Sequence, residues 1–149
     1  MLTPARIEGV GDGLFAGAVA GLLSGAPSTV HALVSGRDPL QAVHAAGTLV
    51  LAPDTAPRWL LVVGTAVHTL VSLGWATLFA LVLPRRHTTS AALVAGMAVA
   101  GFDLGVVGRR YPRIRAMPAA SQVADHLAFG ALVGIVVTRR RRSRLRPVR

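Results

Sequence analysis

The amino-acid sequence predicts an all-α integral membrane protein, a four-transmembrane-helix bundle with a kinked first helix and a short interfacial helix. Hydrophobic residues make up 52% of its 149 residues and charged residues only 15%, whereas soluble domains are about one quarter charged. Four stretches of about 18 to 25 residues carry at most one formally charged side chain each, and about 20 residues suffice to cross a bilayer. Arginine or proline follows each stretch within two residues.

The first apolar stretch, residues 13–36, contains no formally charged side chain and predicts the first span. Glu8 and Asp12 precede it, so this span is expected to hold no carboxylate. Pro27 lies inside the stretch and lacks a backbone donor, which predicts a kink near Gly25–Ser28. Nearby hydroxyl groups are expected to bind the backbone groups that such a kink frees.

The rest of the chain predicts one interfacial helix and three more spans. Asp38 suits the N-cap and Pro39 the first position of a helix, but segment 39–53 is too short and too interrupted to cross a membrane. The remaining spans are predicted at 59–83, 90–107 and 119–138. Residues 1–138 thus form a single four-span domain, and residues 139–149 form an arginine-rich tail.

The arginines predict the orientation, because cytoplasmic loops carry an excess of basic residues. All 16 basic residues are arginine, and with four spans ten lie on the side of the two termini and six on the other. We therefore expect both termini in the cytoplasm of a bacterial cell, with the protein in its inner membrane. The segment 108–115 opposes this rule, because it places four arginines on the outer side.

Glycine recurs every fourth residue along the first and the fourth predicted spans. The positions that we expect in helix packing are Gly13, Gly17, Gly21, Gly25, Gly130 and Gly134. Small residues at this interval let two helix backbones approach closely in lipid. Such a glycine zipper serves either packing inside one bundle, which we favour, or an interface between copies of the chain.

A buried polar cluster is predicted in the outer half of the membrane. Its ionisable members are His31, His68, Asp103, Asp125 and His126. At 1.5 Å per residue all five fall in the outer half of their spans, and the inner half is expected to hold none. Ionisable residues at such depth usually face the interior of the bundle and are paired. Three polar residues on the same helix faces are expected to support the cluster: Thr65, Ser72 and Gln122.

The predicted outer loop carries the arginines Arg109, Arg110, Arg113 and Arg115. Two alternatives are open for them. They pair with the buried carboxylates, since arginine binds carboxylates directionally, or they attract an anionic ligand or a lipid headgroup.

Several functions remain open for the cluster. An Asp–His pair suits a proton or ion relay, because histidine titrates near neutrality. Lipid binding, partner binding or purely structural hydrogen bonding are alternatives. A haem or divalent-metal site that uses His68 and His126, with Asp103 and Asp125 as further candidate ligands, is a weaker alternative for a redox protein or enzyme. No cofactor is predicted, and enzymatic activity stays open, with a non-enzymatic role favoured.

The chain has no cysteine, which excludes disulfides and thiolate chemistry. Seven arginines lie in the last eleven residues, directly after a span and without interleaved aromatic residues. This tail is expected to touch anionic lipids of the bilayer rather than nucleic acid. A homo-oligomer, or docking as an accessory subunit of a larger membrane complex, is a further alternative.

Four short segments carry a resemblance: APSTVHAL (26–33), GRDPL (36–40), DLGVVGRRYP (103–112) and ADHLAFGALVG (124–134). They resemble small multi-pass inner-membrane proteins of actinobacterial type. His-Leu-x-Phe-Gly at 126–130 is more distantly similar to the last helix of the YagU-like inner-membrane family, which is linked to acid tolerance. The resemblance implies a bacterial inner-membrane protein and brings no active site with it.

Overall fold

Helices joined by short turns make up the computed structural model, which describes residues 3–144 and has no strand among them. The α-helices are α1 (Pro4–Leu23), α2 (Ala26–Val34), α3 (Gln41–Gly47), α4 (Pro57–Val82), α5 (Thr88–Phe102), α6 (Gly108–Arg110), α7 (Pro112–Arg115) and α8 (Ala119–Arg144). A π-helical turn, Asp103–Val107, joins α5 to α6. The predicted all-α class is confirmed.

Four helical stretches are long and apolar enough to cross a membrane: Pro4–Val34, Pro57–Val82, Thr88–Arg110 and Ala119–Arg144. Large apolar side chains project outward from them, including Leu22, Val34 and Val94, which are 85%, 79% and 71% exposed. A surface of this kind matches a lipid solvent, because lipid tails are as apolar as these side chains. The chain is therefore a transmembrane helical bundle.

The first span is interrupted where the sequence predicts a kink. Helix α1 ends at Leu23, and α2 begins two residues after Ser24 with Pro27 in its first turn. The hydroxyl of Ser28 donates to the carbonyl oxygen of Gly25 at 3.2 Å. The break leaves further backbone groups of both helices without intrahelical partners, and other helices satisfy these.

The ends of the first and last spans that lie nearest the two chain termini differ from the prediction. Helix α1 begins at Pro4 and includes Glu8 and Asp12, and Asp12 is only 1% exposed. The expectations that the first span holds no carboxylate and that the inner half holds no buried ionisable group are therefore wrong. Helix α8 continues past Thr138 to Arg144, so part of the predicted tail is helical. Residues 145–149 lie outside the described part of the chain.

Small residues bring the four long helices together. Helix α1 packs between α4 and α8, and α8 also packs along α5. A Cβ added at Gly17 would lie 2.8 Å from the Cα of Leu73 in α4, and one added at Gly134 would lie 2.6 Å from the Cα of Thr89 in α5. Neither glycine tolerates a side chain without movement of a neighbouring helix, so Gly17 and Gly134 lie at contacts between helices of the same chain. Among the described residues, nothing lies within 4 Å of a Cβ added at Gly25.

Helix α3 lies within the segment predicted as an interfacial helix and packs on the first two turns of α4. A Cβ at Gly47 would lie 2.9 Å from the Cα of Leu60, and one at Gly64 would lie 2.9 Å from the backbone nitrogen of Gly47. Two glycines that face each other across these helices therefore allow backbone-to-backbone contact. The glycine spacing in the other spans did not point to this contact.

We call the end of the bundle that carries residue 3, the α4–α5 loop and Arg144 the terminal end, and the opposite end the distal end. The chain reaches the distal end between α2 and α4 and again between α6 and α8.

Candidate functional site

An aspartate and a histidine meet between the third and fourth spans, toward the distal end. Nε2 of His126 in α8 lies 2.9 Å from Oδ2 of Asp103, the first residue of the π-helical turn. Their side chains are 19% and 33% exposed. Side chains lean toward the N-terminus of their own helix, and α5 and α8 run in opposite directions, so these two lean toward each other.

The hydrogen bonds determine where protons lie on His126. Its Nδ1 lies 2.7 Å from the carbonyl oxygen of Gln122, and because a carbonyl oxygen only accepts, Nδ1 must donate. The contact between Nε2 and Asp103 then needs one more proton. Either an imidazolium Nε2 donates it to a carboxylate, or a protonated carboxyl donates it to a neutral ring. In both cases the pair holds one more proton than a neutral imidazole beside a carboxylate.

The π-helical turn places Asp103 at a change of helical phase. The backbone N–H of Gly108 donates to the carbonyl oxygen of Asp103, five residues earlier. Gly108 is buried, while Val107, one helical turn after Asp103, is only half-buried. The extra residue in this turn thus places Gly108, rather than Val107, at the buried position that follows Asp103. Turns of this kind occur frequently at functional sites.

Asp125 and His68 form hydrogen bonds to backbone groups at the break in the first span. The backbone N–H of Ser28, in the first turn of α2, donates to Oδ1 of Asp125 at 2.9 Å. Nε2 of His68 donates to the carbonyl oxygen of Gly21, in the last turn of α1, at 2.8 Å. Both backbone groups lack intrahelical partners because the helix breaks between them. These two members of the predicted cluster therefore have a structural task.

The remaining predicted residues make fewer contacts. His31 is half-buried and forms no side-chain hydrogen bond or ion pair within residues 3–144. The hydroxyl of Thr65 donates to the carbonyl oxygen of Leu61 in its own helix at 2.8 Å. Ser72 is buried where α4 faces Gly21, and Gln122 contributes its carbonyl oxygen to His126. The structure thus brings together only part of the expected cluster.

The distal arginines do not pair with the aspartates. Arg113 donates to the carbonyl oxygen of Pro53 at 2.5 Å, which ties α7 to the loop before α4. In the part of the chain that the structure describes, none of Arg109, Arg110, Arg113 and Arg115 forms an ion pair. A second Asp–His pair lies near them outside the spans, where Nδ1 of His44 is 3.2 Å from Oδ2 of Asp38.

Sequence reasoning missed an ion-pair network at the terminal end. Oδ1 of Asp12 lies 2.7 Å from Nε of Arg140, and Oδ2 lies 2.9 Å from Nη1 of Arg144. Glu8 lies 3.5 Å from the same Arg144. The signal was present as spacing: two acids four residues apart in α1, and two arginines four residues apart in α8, each pair on one helix face.

Possible metal ligands do not gather at one point. Among residues 3–144 no group of three or more histidine, aspartate or glutamate side chains is close enough to hold a metal ion. Both ring nitrogens of His126 and Nε2 of His68 take part in hydrogen bonds.

Comparison of the chain with protein-family models, with curated proteins and with solved structures finds no match. The resemblance to the YagU-like family therefore stays a prediction.

Proposed function

We propose that the protein handles protons in a bacterial inner membrane, taking up and releasing a proton at Asp103 and His126. The observation that carries this proposal is the pair of hydrogen bonds on His126. Since Nδ1 already donates to a carbonyl oxygen, the 2.9 Å contact to Asp103 requires one further proton, on either His126 or Asp103. Histidine is the side chain that proteins most often use as a general acid or base and as a proton shuttle.

A structural role explains this pair less well than it explains its neighbours. Asp125 and His68 bind backbone groups that the helix break leaves open. Within residues 3–144, the side chain of Asp103 binds no backbone group, and Nε2 of His126 contacts only Asp103. An aspartate at the centre of a span costs about 2.5 to 3.5 kcal/mol on insertion scales, which is an upper bound for Asp103 nearer the distal end, and an apolar pair would avoid this cost.

The arginine distribution supports an orientation with both termini in the cytoplasm. Ten of the 16 arginines lie on the side of the terminal end, and basic residues are retained in the cytoplasm. In this orientation Asp103 and His126 lie in the outer half of the membrane, nearer to the external solution. Protons therefore reach the pair from outside the cell.

Proton flux into liposomes tests the proposal. The purified chain is reconstituted with a pH-sensitive dye inside, and a potassium diffusion potential drives protons inward. We expect wild-type vesicles to acidify faster than empty ones, and Asp103→Asn to reduce the rate to that of empty vesicles. Asp38→Asn is the matched control, because it removes the carboxylate of the Asp–His pair outside the spans.

Wild-type vesicles that acidify no faster than empty ones contradict the proposal, as does an Asp103→Asn variant with wild-type flux. Circular dichroism and the thermal midpoint of each variant in detergent show whether a loss of flux comes from loss of the fold.

A further inference from the structure

A cavity of about 820 Å³ opens at the terminal end of the bundle. The beginning of α1, the end of α4, the α4–α5 loop and the end of α8 form its walls. It lies far from Asp103 and His126, so it is separate from the proton site. Its volume falls in the range of pockets that hold small organic ligands.

The charge of the cavity is strongly positive. Six arginines line it against two carboxylates, those of Glu8 and Asp12. The lining arginines are Arg6, Arg85, Arg86, Arg141, Arg142 and Arg144. Both carboxylates pair with arginines of α8. Of the six lining arginines, Arg144 pairs with both carboxylates. Within residues 3–144, the other five have no carboxylate partner, so much of the positive charge in the cavity has no counter-charge.

One of these arginines is held in place by the protein. Nη2 of Arg141 donates to the carbonyl oxygen of Ala80 at 2.7 Å, and Nη1 donates to the hydroxyl of Thr88 at 3.1 Å. Thr88 in turn donates to the carbonyl oxygen of Pro84 at 2.8 Å. These bonds connect α8 to both ends of the α4–α5 loop. They thereby fix the loop that presents the exposed side chains of Arg85 and Arg86.

The first turn of α5 adds further hydrogen-bond donors to the cavity. Thr88, Thr89 and Ser90 line the cavity and form the first turn of this 15-residue helix. The first backbone N–H groups of a helix have no intrahelical partner and carry a partial positive charge. Several guanidinium groups and a helix start that face one cavity form a strong site for a multivalent oxyanion.

We propose that this cavity binds a phosphate-bearing anion. Two sources share this chemistry: the headgroup of an anionic phospholipid and a free phosphate ester. Leu81 and Leu83 line the cavity beside the arginines, and Leu81 belongs to the exposed apolar surface of α4. Apolar and basic walls that meet in one cavity fit the acyl chain and the headgroup of one lipid molecule, which favours the lipid source.

Binding to the purified full-length chain in a neutral detergent tests the proposal. The probes are short-chain phosphatidylglycerol, short-chain phosphatidylcholine and glycerol phosphate. Phosphatidylglycerol is expected to bind at least about tenfold more tightly than phosphatidylcholine, and added salt is expected to weaken it. Replacing both loop arginines, Arg85→Gln with Arg86→Gln, is expected to weaken binding on the order of tenfold.

The matched control is the other adjacent pair, Arg109→Gln with Arg110→Gln, which ends a span at the distal end and lies outside the cavity. It is expected to leave the affinity unchanged. Glycerol phosphate that binds as tightly as phosphatidylglycerol, with the same dependence on the loop arginines, supports the anion site and assigns it to a free phosphate ester.

If the two double glutamine variants lose the same affinity for phosphatidylglycerol, the proposal is overturned, because equal losses indicate attraction by net charge alone. No loss from either pair also overturns it. Arg85→Lys with Arg86→Lys keeps the charge and removes the planar fork, so its intermediate affinity distinguishes a bound phosphate from a diffuse field. Asp103→Asn leaves binding unchanged if the two sites are independent, whatever the outcome of the proton-flux assay.

Discussion

Asp125 makes a hydrogen bond that does not need its negative charge. Its Oδ1 accepts from the backbone N–H of Ser28 at 2.9 Å, and an asparagine oxygen would accept the same bond. The side chain thus acts as a helix cap supplied by another helix. The charge on Asp125 and its hydrogen bond are separable by substitution.

We expect Asp125→Asn to keep nearly the wild-type stability and Asp125→Ala to lower the free energy of unfolding by about 1 kcal/mol, the usual effect of losing a helix cap. Thermal unfolding in detergent, followed by circular dichroism, measures both. If Asp125→Asn lowers the free energy of unfolding as much as Asp125→Ala, the negative charge itself stabilises the bundle.

Asp12 is the most deeply buried carboxylate in the described chain and contacts two arginines. Removal of one partner from a buried ion pair leaves the other charges without compensation. We expect Asp12→Asn to lower the free energy of unfolding by about 2 kcal/mol, less than for a fully buried pair because both arginines reach solvent.

Glu8→Gln is the matched control for Asp12→Asn. Glu8 lies four residues earlier on the same helix face, and its side chain is 56% exposed. We expect its loss to change stability by less than about 1 kcal/mol. Equal effects of the two substitutions in a thermal unfolding series would show that burial of Asp12 contributes nothing.

Among the elements, the contact between α1 and α4 depends on the absence of side chains. A Cβ at Gly17 would lie 2.8 Å from the Cα of Leu73 and 3.0 Å from the carbonyl oxygen of Ser72. These are backbone atoms, so the whole of α4 would have to move. We expect Gly17→Ala to lower the free energy of unfolding by about 1 to 3 kcal/mol.

Gly11 offers a control in the same helix, because nothing described lies within 4 Å of a Cβ added there. Gly11→Ala is expected to leave stability unchanged or to raise it by up to about 1 kcal/mol, since alanine favours a helix. A chemical unfolding series in a mixed detergent compares the two variants. A neutral Gly17→Ala would contradict close packing of α1 on α4.

Hydropathy predicted the positions of the four spans well, but it predicted poorly where a span departs from a regular α-helix or begins. The break near Pro27 was visible because proline lacks a backbone donor. The π-helical turn at Asp103 was not, because it depends on a bond between residues five apart and leaves hydropathy unchanged. The start of α1 was placed too late because the charged residue Asp12 was taken to lie outside the span. In the structure, two arginines of α8 pair with Asp12, which allows it to lie within the helix.

At the scale of the whole molecule, the orientation can be tested directly because the chain has no cysteine. Ser143→Cys places one thiol at the terminal end, and Ala116→Cys places one in the distal loop; both positions are exposed. With cytoplasmic termini, we expect a membrane-impermeant maleimide to label intact spheroplasts of the Ala116→Cys strain only. Permeabilised cells should label in both strains, and the opposite pattern would reverse the orientation.

The site was only partly predictable, for a reason that also lies at the scale of the molecule. Depth along each span placed Asp103 and His126 at similar levels, and the structure joins them. Depth alone does not distinguish these residues from Asp125 and His68, whose partners are backbone groups freed by the break in the first span. Which polar side chains meet each other depends on which helices are neighbours, and hydropathy does not report this.

The pairing of Asp12 with Arg140 has a consequence for how the protein is made. The two residues are 128 positions apart, and at about 5 to 20 residues per second synthesis needs roughly 6 to 25 s to pass from one to the other. Until then the first helix carries a carboxylate without its counter-charges. The last helix therefore completes the ion pair only after Arg140 has been synthesised, and any product that ends before Arg140 lacks the pair permanently.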